Sequence, residues 1–175
     1  MRILIVDTYY PEFLKNFYKK IDDKLDELNY LQLQDLISKQ FFGTANFYSK
    51  NLQKLGIEAD EIIFNDLTLQ KKWVNENNVN IDFKDPFYSK FSKKADRVFN
   101  KGYLYKILER QIDFYKPDIL YIQTPTYFSP IFLNKIKKRI KLLVAQIASN
   151  LPPLWFFTPY DLVVSSLPEF VNFFK

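Results

Sequence analysis

Several short apolar runs in this sequence end in side chains that can hydrogen-bond or exchange a proton. In an open parallel α/β sheet, ligands bind at the carboxyl ends of the strands, so these residues predict a polar rim for a hydrogen-bonding ligand. Each one could instead cap the next helix or satisfy loop backbone. The candidates are Asp7, Thr8 and Tyr9 after the first run, Asn65 after the second, Gln123 and Thr124 after the third, Gln146 and Ser149 after the fourth, and Ser165 and Ser166 after the fifth.

The amino-acid composition limits the chemistry that this rim could perform. The 175 residues contain no cysteine and no histidine, which excludes disulfides, zinc sites of the Cys/His kind and nucleophiles activated by histidine. Glycine occurs only at Gly43, Gly56 and Gly102, so neither a P-loop nor a G-x-G-x-x-G turn can be written. Acid–base catalysis must therefore use Asp, Glu, Lys or Tyr.

The elements that would position these residues alternate between strands and helices. Five runs have the continuous apolar character of buried parallel strands, at 3–7, 61–65, 118–123, 142–147 and 161–165. Helical patterns lie between them: an apolar stripe from Pro11 to Ile21, a region over 28–55 with a break and new N-cap at Gly43-Thr44, a long pattern over 91–115, and another over 130–140. The chain therefore predicts an α/β fold with a mostly parallel sheet of about five strands, covered by helices on both faces. Residues 66–115 form an elaborated helical crossover in this interpretation.

No stretch of the sequence approaches the roughly 20 apolar residues that a membrane helix needs. The apolar run after Met1 is stopped by Asp7 and is too short for a signal peptide. We therefore expect a soluble, cytoplasmic protein.

The basic charge of the chain has two interpretations. The net charge is +5, but lysine rather than arginine supplies most of it, so we expect no nucleic-acid partner. The densest group, Lys135, Lys137, Lys138 and Arg139, could make weak contact with an anionic membrane surface. The alternative is the solvated outer face of a helix, which is the usual role of such a run.

Three segments carry a resemblance to a known family. They are Phe-Gly-Thr-Ala-Asn-Phe-Tyr-Ser at 42–49, Gln-Ile-Ala-Ser at 146–149, and Tyr-Asp-Leu-Val-Val-Ser-Ser-Leu-Pro-Glu-Phe-Val at 160–171. In this order they resemble the N-terminal half of GT-B glycosyltransferases, in particular bacterial transferases related to the spore-maturation protein CgeB. The similarity covers nearly all of the chain.

The resemblance implies a Rossmann-like three-layer domain on the acceptor side of a two-domain enzyme. Such an enzyme transfers a sugar from a nucleotide-sugar to a carbohydrate or another hydroxyl acceptor. The C-terminal donor-binding domain would be absent from residues 1–175, so we expect no turnover from them alone. We also expect no metal and no cofactor in this domain, because the nucleotide-sugar would be held by the other half of the full-length enzyme.

Two positions depart from the pattern of the family. Glu169 stands where the relatives' Ser-Ser-x-Pro-His-Phe-Val motif has histidine, and Thr124 stands where an acidic residue would follow Tyr-Ile-Gln. If the reaction inverts the anomeric configuration, Asp7 or Glu169 are the carboxylates that the resemblance offers as the base. A retaining reaction would need no base from this domain.

The aromatic residues of the chain suggest two further roles. Tyr9, Tyr10, Tyr127 and Trp155 follow strands and could stack on sugar rings, although most rings, including Trp73 and Trp155, are expected to pack in the core. The alternative function is a non-catalytic α/β binding or assembly module. A contiguous exposed patch at residues 155–157 would indicate a surface that another domain or a partner covers.

Overall fold

The computed structural model describes residues 1–81, 95–148 and 151–174, and Ser149 lies outside these ranges. Within them the chain has five strands and seven α-helices. The strands are β1 (Arg2–Asp7), β2 (Glu58–Ile63), β3 (Ile119–Ile122), β4 (Leu142–Gln146) and β5 (Leu162–Val164). The helices are α1 (Pro11–Ile21), α2 (Tyr30–Ser38), α3 (Phe47–Lys54), α4 (Leu67–Glu76), α5 (Ala95–Tyr115), α6 (Pro130–Lys137) and α7 (Pro168–Phe173).

The five strands form one parallel sheet in the order β2-β1-β3-β4-β5. Three consecutive residues are buried in the middle of β1 and three in β4, so both faces of these strands are covered. Such strands are continuously apolar because neither face meets water. The predicted fold class, an α/β Rossmann-like sandwich, is confirmed.

The predicted position of the second strand is wrong by about three residues. The sequence predicts it at 61–65, whereas β2 runs from Glu58 to Ile63. β2 lies at an edge of the sheet, and its first half alternates: Glu58 and Asp60 are exposed, whereas Ala59 between them is buried. A search for continuous apolar runs misses the charged half of an edge strand that alternates in this way.

The predicted helices differ from the observed ones mainly at their ends. α1 begins at Pro11 and ends at Ile21, as the sequence predicts. The region over 28–55 is divided into α2 and α3, but Thr44 is not the N-cap, because α3 begins three residues later at Phe47. The long pattern over 91–115 corresponds to α5 from residue 95, and residues 91–94 lie outside the described ranges.

By their internal packing, the residues divide into two compact units that are interleaved along the chain. Unit 1 comprises Met1–Asp7, Ser49–Ile62 and Ile112–Lys175, and unit 2 comprises Thr8–Tyr48 and Ile63–Gln111. Unit 1 therefore contains nearly the whole sheet, with α6 and α7. That residues 1–175 are a single domain stays a prediction.

Asp66 is a buried carboxylate in the core of unit 2. Asp66 is only 1% exposed, and its Oδ1 accepts a hydrogen bond from the backbone amide of Leu69 at 3.0 Å, which caps the first turn of α4. The Tyr18 hydroxyl donates to both carboxylate oxygens, at 2.7 and 2.6 Å. Burial raises the pKa of Asp66, and burial together with the neighbouring Asp66 charge raises the pKa of Tyr18. The pair therefore ties α1 to the start of α4.

Replacing Tyr18 with phenylalanine is expected to lower the free energy of unfolding by about 2 kcal/mol, because the buried Asp66 carboxylate loses a donor. Urea denaturation at pH 7 measures this loss as a lower midpoint at an unchanged slope. Tyr10→Phe is the matched control, because Tyr10 is 72% exposed, and it should leave the midpoint unchanged. Equal midpoints for Tyr18→Phe and the wild type would show that the hydroxyl contributes nothing to the fold.

Candidate functional site

The strand order places the switch point of the sheet between β1 and β3. The chain runs outward in both directions from these two strands, and ligands of open α/β sheets bind beyond the carboxyl ends of such a pair. β1 and β3 pair in register from Ile3 opposite Ile119 to Val6 opposite Ile122. The backbone amide of Gln123 then donates to the carbonyl of Val6 at 3.0 Å. Asp7 and Gln123 therefore leave the sheet side by side, as the sequence predicts for a rim.

Glu61 of β2 is a candidate that sequence analysis missed. Its side chain is half-buried, and its Oε1 accepts a hydrogen bond from the backbone amide of Ser49 in α3 at 2.9 Å. The pKa of Glu61 is raised from 4.5 to about 7: burial is the main cause, the hydrogen bonds from Ser49 and the charge of Lys50 oppose it, and the negative charge of Asp7 adds to the rise. The signal was present in the sequence: Glu61 lies two residues from both Ala59 and Ile63 along β2, so it shares the face of these buried residues.

Asp7 and Glu61 together could perform acid–base chemistry. A carboxyl group with a pKa near 7 is both a proton donor and a proton acceptor at neutral pH. Asp7 is close enough to Glu61 to influence its pKa. Pairs of neighbouring carboxyl groups with a shifted pKa are found at catalytic sites, and structural ion pairs also shift pKa values. Asp7 is the last residue of β1, so it lies at the predicted ligand-binding edge of the sheet. Its side chain is half-buried there.

Several other predicted rim residues of unit 1 make hydrogen bonds within the protein. The Gln146 side-chain oxygen accepts a hydrogen bond from the Tyr121 hydroxyl at 2.6 Å. Ser165 Oγ accepts one from the backbone amide of Leu167 at 3.1 Å, just before α7. Thr124 precedes a short 3-10 turn, while Ser166 is exposed. Glu169, the other carboxylate offered as a base, is exposed in the first turn of α7.

The predicted rim residues of unit 2 have a structural role. The Asn65 side chain accepts a hydrogen bond from the backbone amide of Tyr9 at 2.8 Å and donates one to its carbonyl at 2.6 Å. The Tyr9 ring is 3% exposed and packs against Phe13 and Phe42, so it is not available for stacking on a sugar. Thr8 is half-buried beside it in the chain.

The tryptophans are not both in the core. Trp73 is 1% exposed, as predicted, but Trp155 is 61% exposed, so its prediction as a core residue is wrong. The 3-10 turn Leu154–Phe157 turns Phe157 inward and leaves Trp155 outside.

The exposed Trp155 belongs to a chain of touching rings in unit 1. Consecutive ring centroids are 5.7 Å apart from Trp155 to Phe156, 6.3 Å to Phe157, 4.9 Å to Phe174 and 5.4 Å to Phe173, which is 47% exposed. We call these five residues the Trp155 patch. Of the five, Trp155 and Phe173 are exposed, Phe156 and Phe174 are half-buried and Phe157 is buried, so residues 155–157 do not form the contiguous exposed patch that would indicate a covered surface.

The basic group at the end of α6 and just after it is partly neutralised within unit 1. The Lys137 ammonium lies 2.6 Å from an Asp161 oxygen, and the Arg139 guanidinium lies 3.2 Å from an Asp113 oxygen. The Lys137 hydrogen bond lowers the pKa of Asp161. Two of the four cations offered for a membrane surface therefore face acidic partners, which weakens the positive potential that anionic lipids would meet.

Among the described residues, no three His, Cys, Asp or Glu side chains are placed to hold a metal ion, and none of the described helices could cross a membrane. Comparison with protein-family models, with curated proteins and with solved structures finds no match for this chain. The fold defines the class, an α/β protein with a Rossmann-like parallel sheet.

Replacing Glu61 with glutamine is expected to reduce the pH dependence of stability. The carboxyl ionises near 4.5 in the unfolded chain and near 7 in the folded protein, so the folded state binds more protons between these values. Stability is therefore lost as the pH rises from 4.5 to 7, and the loss persists above 7. At about 1.4 kcal/mol per pKa unit, Glu61→Gln should be more stable than the wild type by up to about 3 kcal/mol at pH 8.

Urea denaturation at pH 5 and pH 8 measures this effect, and the two proteins should differ much less at pH 5. Glu27→Gln is the control, because Glu27 is exposed and the substitution should shift neither midpoint. A difference between wild type and Glu61→Gln that is the same at both pH values would contradict the raised pKa of Glu61.

Proposed function

We propose that this chain is the acceptor-side domain of a nucleotide-sugar-dependent glycosyltransferase. The observation that carries the proposal is the position of Asp7, which ends β1 at the switch point of the sheet and influences the pKa of Glu61. Polar ligands of open parallel sheets bind at this edge. The resemblance of residues 42–49, 146–149 and 160–171 to GT-B transferases supports the same reaction class.

In the proposed reaction, the acceptor hydroxyl lies beside Asp7. The hydroxyl oxygen forms a bond to the anomeric carbon of the donor sugar, its proton moves to the Asp7 carboxylate, and the bond from the sugar to the nucleoside diphosphate breaks. Glu61 acts behind Asp7 rather than on the acceptor. With a pKa near 7 it can take up a proton when Asp7 is charged, which reduces the repulsion between the two carboxylates.

Two exposed rings, Trp155 and Phe173, support a two-domain arrangement, although the buried Phe157 between them interrupts the patch. Trp155 and Phe173 leave large apolar surfaces in water, which a donor-binding domain packed on them would cover. The same observation favours the alternative, a non-catalytic module that uses the patch to bind a partner. The two functions differ in their need for Asp7, because only the transferase requires a proton acceptor at the end of β1.

In the complete product of the native gene, Asp7→Asn is expected to lower kcat for release of nucleoside diphosphate by at least about 100-fold, because an amide cannot accept the hydroxyl proton. The assay measures this release from a panel of nucleotide-sugars, with and without mono- and oligosaccharide acceptors. KM for the donor should change little, because the donor is held by the other domain.

Asp35→Asn is the matched control for this assay. Asp35 of α2 forms an exposed ion pair with Lys39, which follows the helix, with the two side chains 2.6 Å apart, so removing its charge should leave kcat unchanged. Full activity of Asp7→Asn would remove Asp7 from the mechanism. No nucleotide release with any donor would reject the transferase and favour the binding module.

A further inference from the structure

The first turn of α3 donates hydrogen bonds to a side chain of the strand that follows it. The backbone amide of Ser49, the third residue of α3, donates to Glu61 Oε1 of β2 at 2.9 Å, and the Ser49 hydroxyl donates to the same carboxylate. The first amides of a helix have no partner within the helix itself. Glu61 therefore caps α3 from a neighbouring element, and both residues belong to unit 1.

Ser49 is shielded from water where it makes this contact. Its side chain is 6% exposed, and Glu61 is half-buried. A hydrogen bond is electrostatically stronger where the surroundings exclude water. The contact also matters more to Glu61 than it would to an exposed carboxylate, because a charge that is partly removed from water is costly unless donors compensate for it.

The influences on the charge of Glu61 come from different parts of the fold. Burial and the negative charge of Asp7, at the end of β1, raise the pKa of Glu61. The two Ser49 hydrogen bonds and the positive charge of Lys50 lower it, and all three of these contributions come from α3. Within the described part of the chain, α3 is therefore the element that keeps Glu61 able to lose its proton near neutral pH.

This division makes the carboxyl pair depend on the placement of α3. Asp7 and Glu61 lie on neighbouring strands of one sheet, whereas Ser49 and Lys50 lie on a helix that residues 55–57 join to β2. A displacement of α3 would lengthen its hydrogen bonds to Glu61, while the sheet would still hold Asp7 near Glu61. The repulsion between the two carboxylates would then remain without the donors that offset it.

We infer that α3 regulates the Asp7–Glu61 pair, with Ser49 as the positioning residue that holds the Glu61 carboxylate in its charged form. The inference deepens the proposed function, on which it rests for the catalytic role of the pair. When the Ser49 donors hold Glu61, this side chain exchanges a proton near neutral pH and responds to the charge of Asp7. When they do not, Glu61 stays protonated above neutral pH and no longer responds.

Carbon-13 NMR of the side-chain carboxyl groups measures the ionisation of Glu61 in the 175-residue chain, and Glu61→Gln identifies its resonance. We expect the wild-type pKa of Glu61 at about 7. Ser49→Ala removes the hydroxyl and keeps the backbone amide, so the pKa should rise by about one unit, the ordinary strength of one hydrogen bond to a charged group. Ser49→Thr restores a hydroxyl and should return the pKa towards its wild-type value.

Ser38→Ala is the matched control for Ser49→Ala. Ser38 is also a buried helical serine, 7% exposed, but its hydroxyl donates to the Gln34 carbonyl of α2 instead of a carboxylate. Its replacement should leave the pKa of Glu61 unchanged.

Lys50→Gln is a second variant, which changes only an exposed side chain and so keeps the test valid if Ser49→Ala does not fold. It should raise the pKa of Glu61 by roughly 0.3 unit, as expected for the loss of one exposed charge. A pKa that neither Ser49→Ala nor Lys50→Gln moves would overturn the inference. An equal shift in Ser38→Ala would also overturn it, because the effect would then follow the loss of any buried helical serine.

The complete gene product separates this inference from the proposed function. If both are correct, Ser49→Ala moves the limb of the kcat–pH profile that Glu61 sets by about one unit to higher pH, and KM for the donor is unchanged. A shifted pKa of Glu61 with no nucleotide release from any donor would retain the role of α3 and reject the transferase. Nucleotide release with an unshifted pKa would retain the transferase and reject the role of α3.

Discussion

The pairing of β1 with β3 is the constraint on which the candidate site depends. At the amino ends of these strands, the Asp118 carboxylate accepts a hydrogen bond from the backbone amide of Arg2 at 2.8 Å, and the Asp118 amide donates to the Arg2 carbonyl at 2.9 Å. The same carboxylate lies 2.7 Å from Lys141, at the start of β4. The Lys141 and Arg2 hydrogen bonds lower the pKa of Asp118, so it remains an acceptor over a wide pH range. A slip of either strand by one residue would turn its buried side chains to the opposite face.

The parts of the fold that the sequence predicts best are those with a single strong physical cause. β1 and β4 are found almost to the residue, because strands covered on both faces must be apolar throughout. β2 is displaced in the prediction because an edge strand keeps Glu58 and Asp60 in water. The end of α2 and the start of α3 depend on turns at positive φ, including Phe41, for which the sequence gives no ordinary signal.

The sequence predicts where in the fold the candidate site lies better than it predicts which residues form the site. The residue types at the strand ends are visible in the sequence, but their hydrogen-bond partners depend on the fold. The Asn65 side chain accepts a hydrogen bond from the backbone amide of Tyr9, and the Gln146 side chain accepts one from the Tyr121 hydroxyl. Both residues therefore satisfy polar groups of the protein itself. Glu61 was missed because a carboxylate within a strand is usually solvated. Only the fold shows that the Ser49 amide binds it and that the Asp7 charge acts on it.

The contrast between Trp73 and Trp155 gives the protein two built-in optical probes. Trp73 is buried in unit 2 and should emit at short wavelength and resist quenching by iodide, whereas Trp155 is exposed in unit 1 and should emit near the wavelength of free indole. Since each unit contains one tryptophan, the native emission spectrum is the sum of two components with different origins. Loss of the short-wavelength component reports the opening of unit 2, and a blue shift of the other reports whatever comes to cover Trp155.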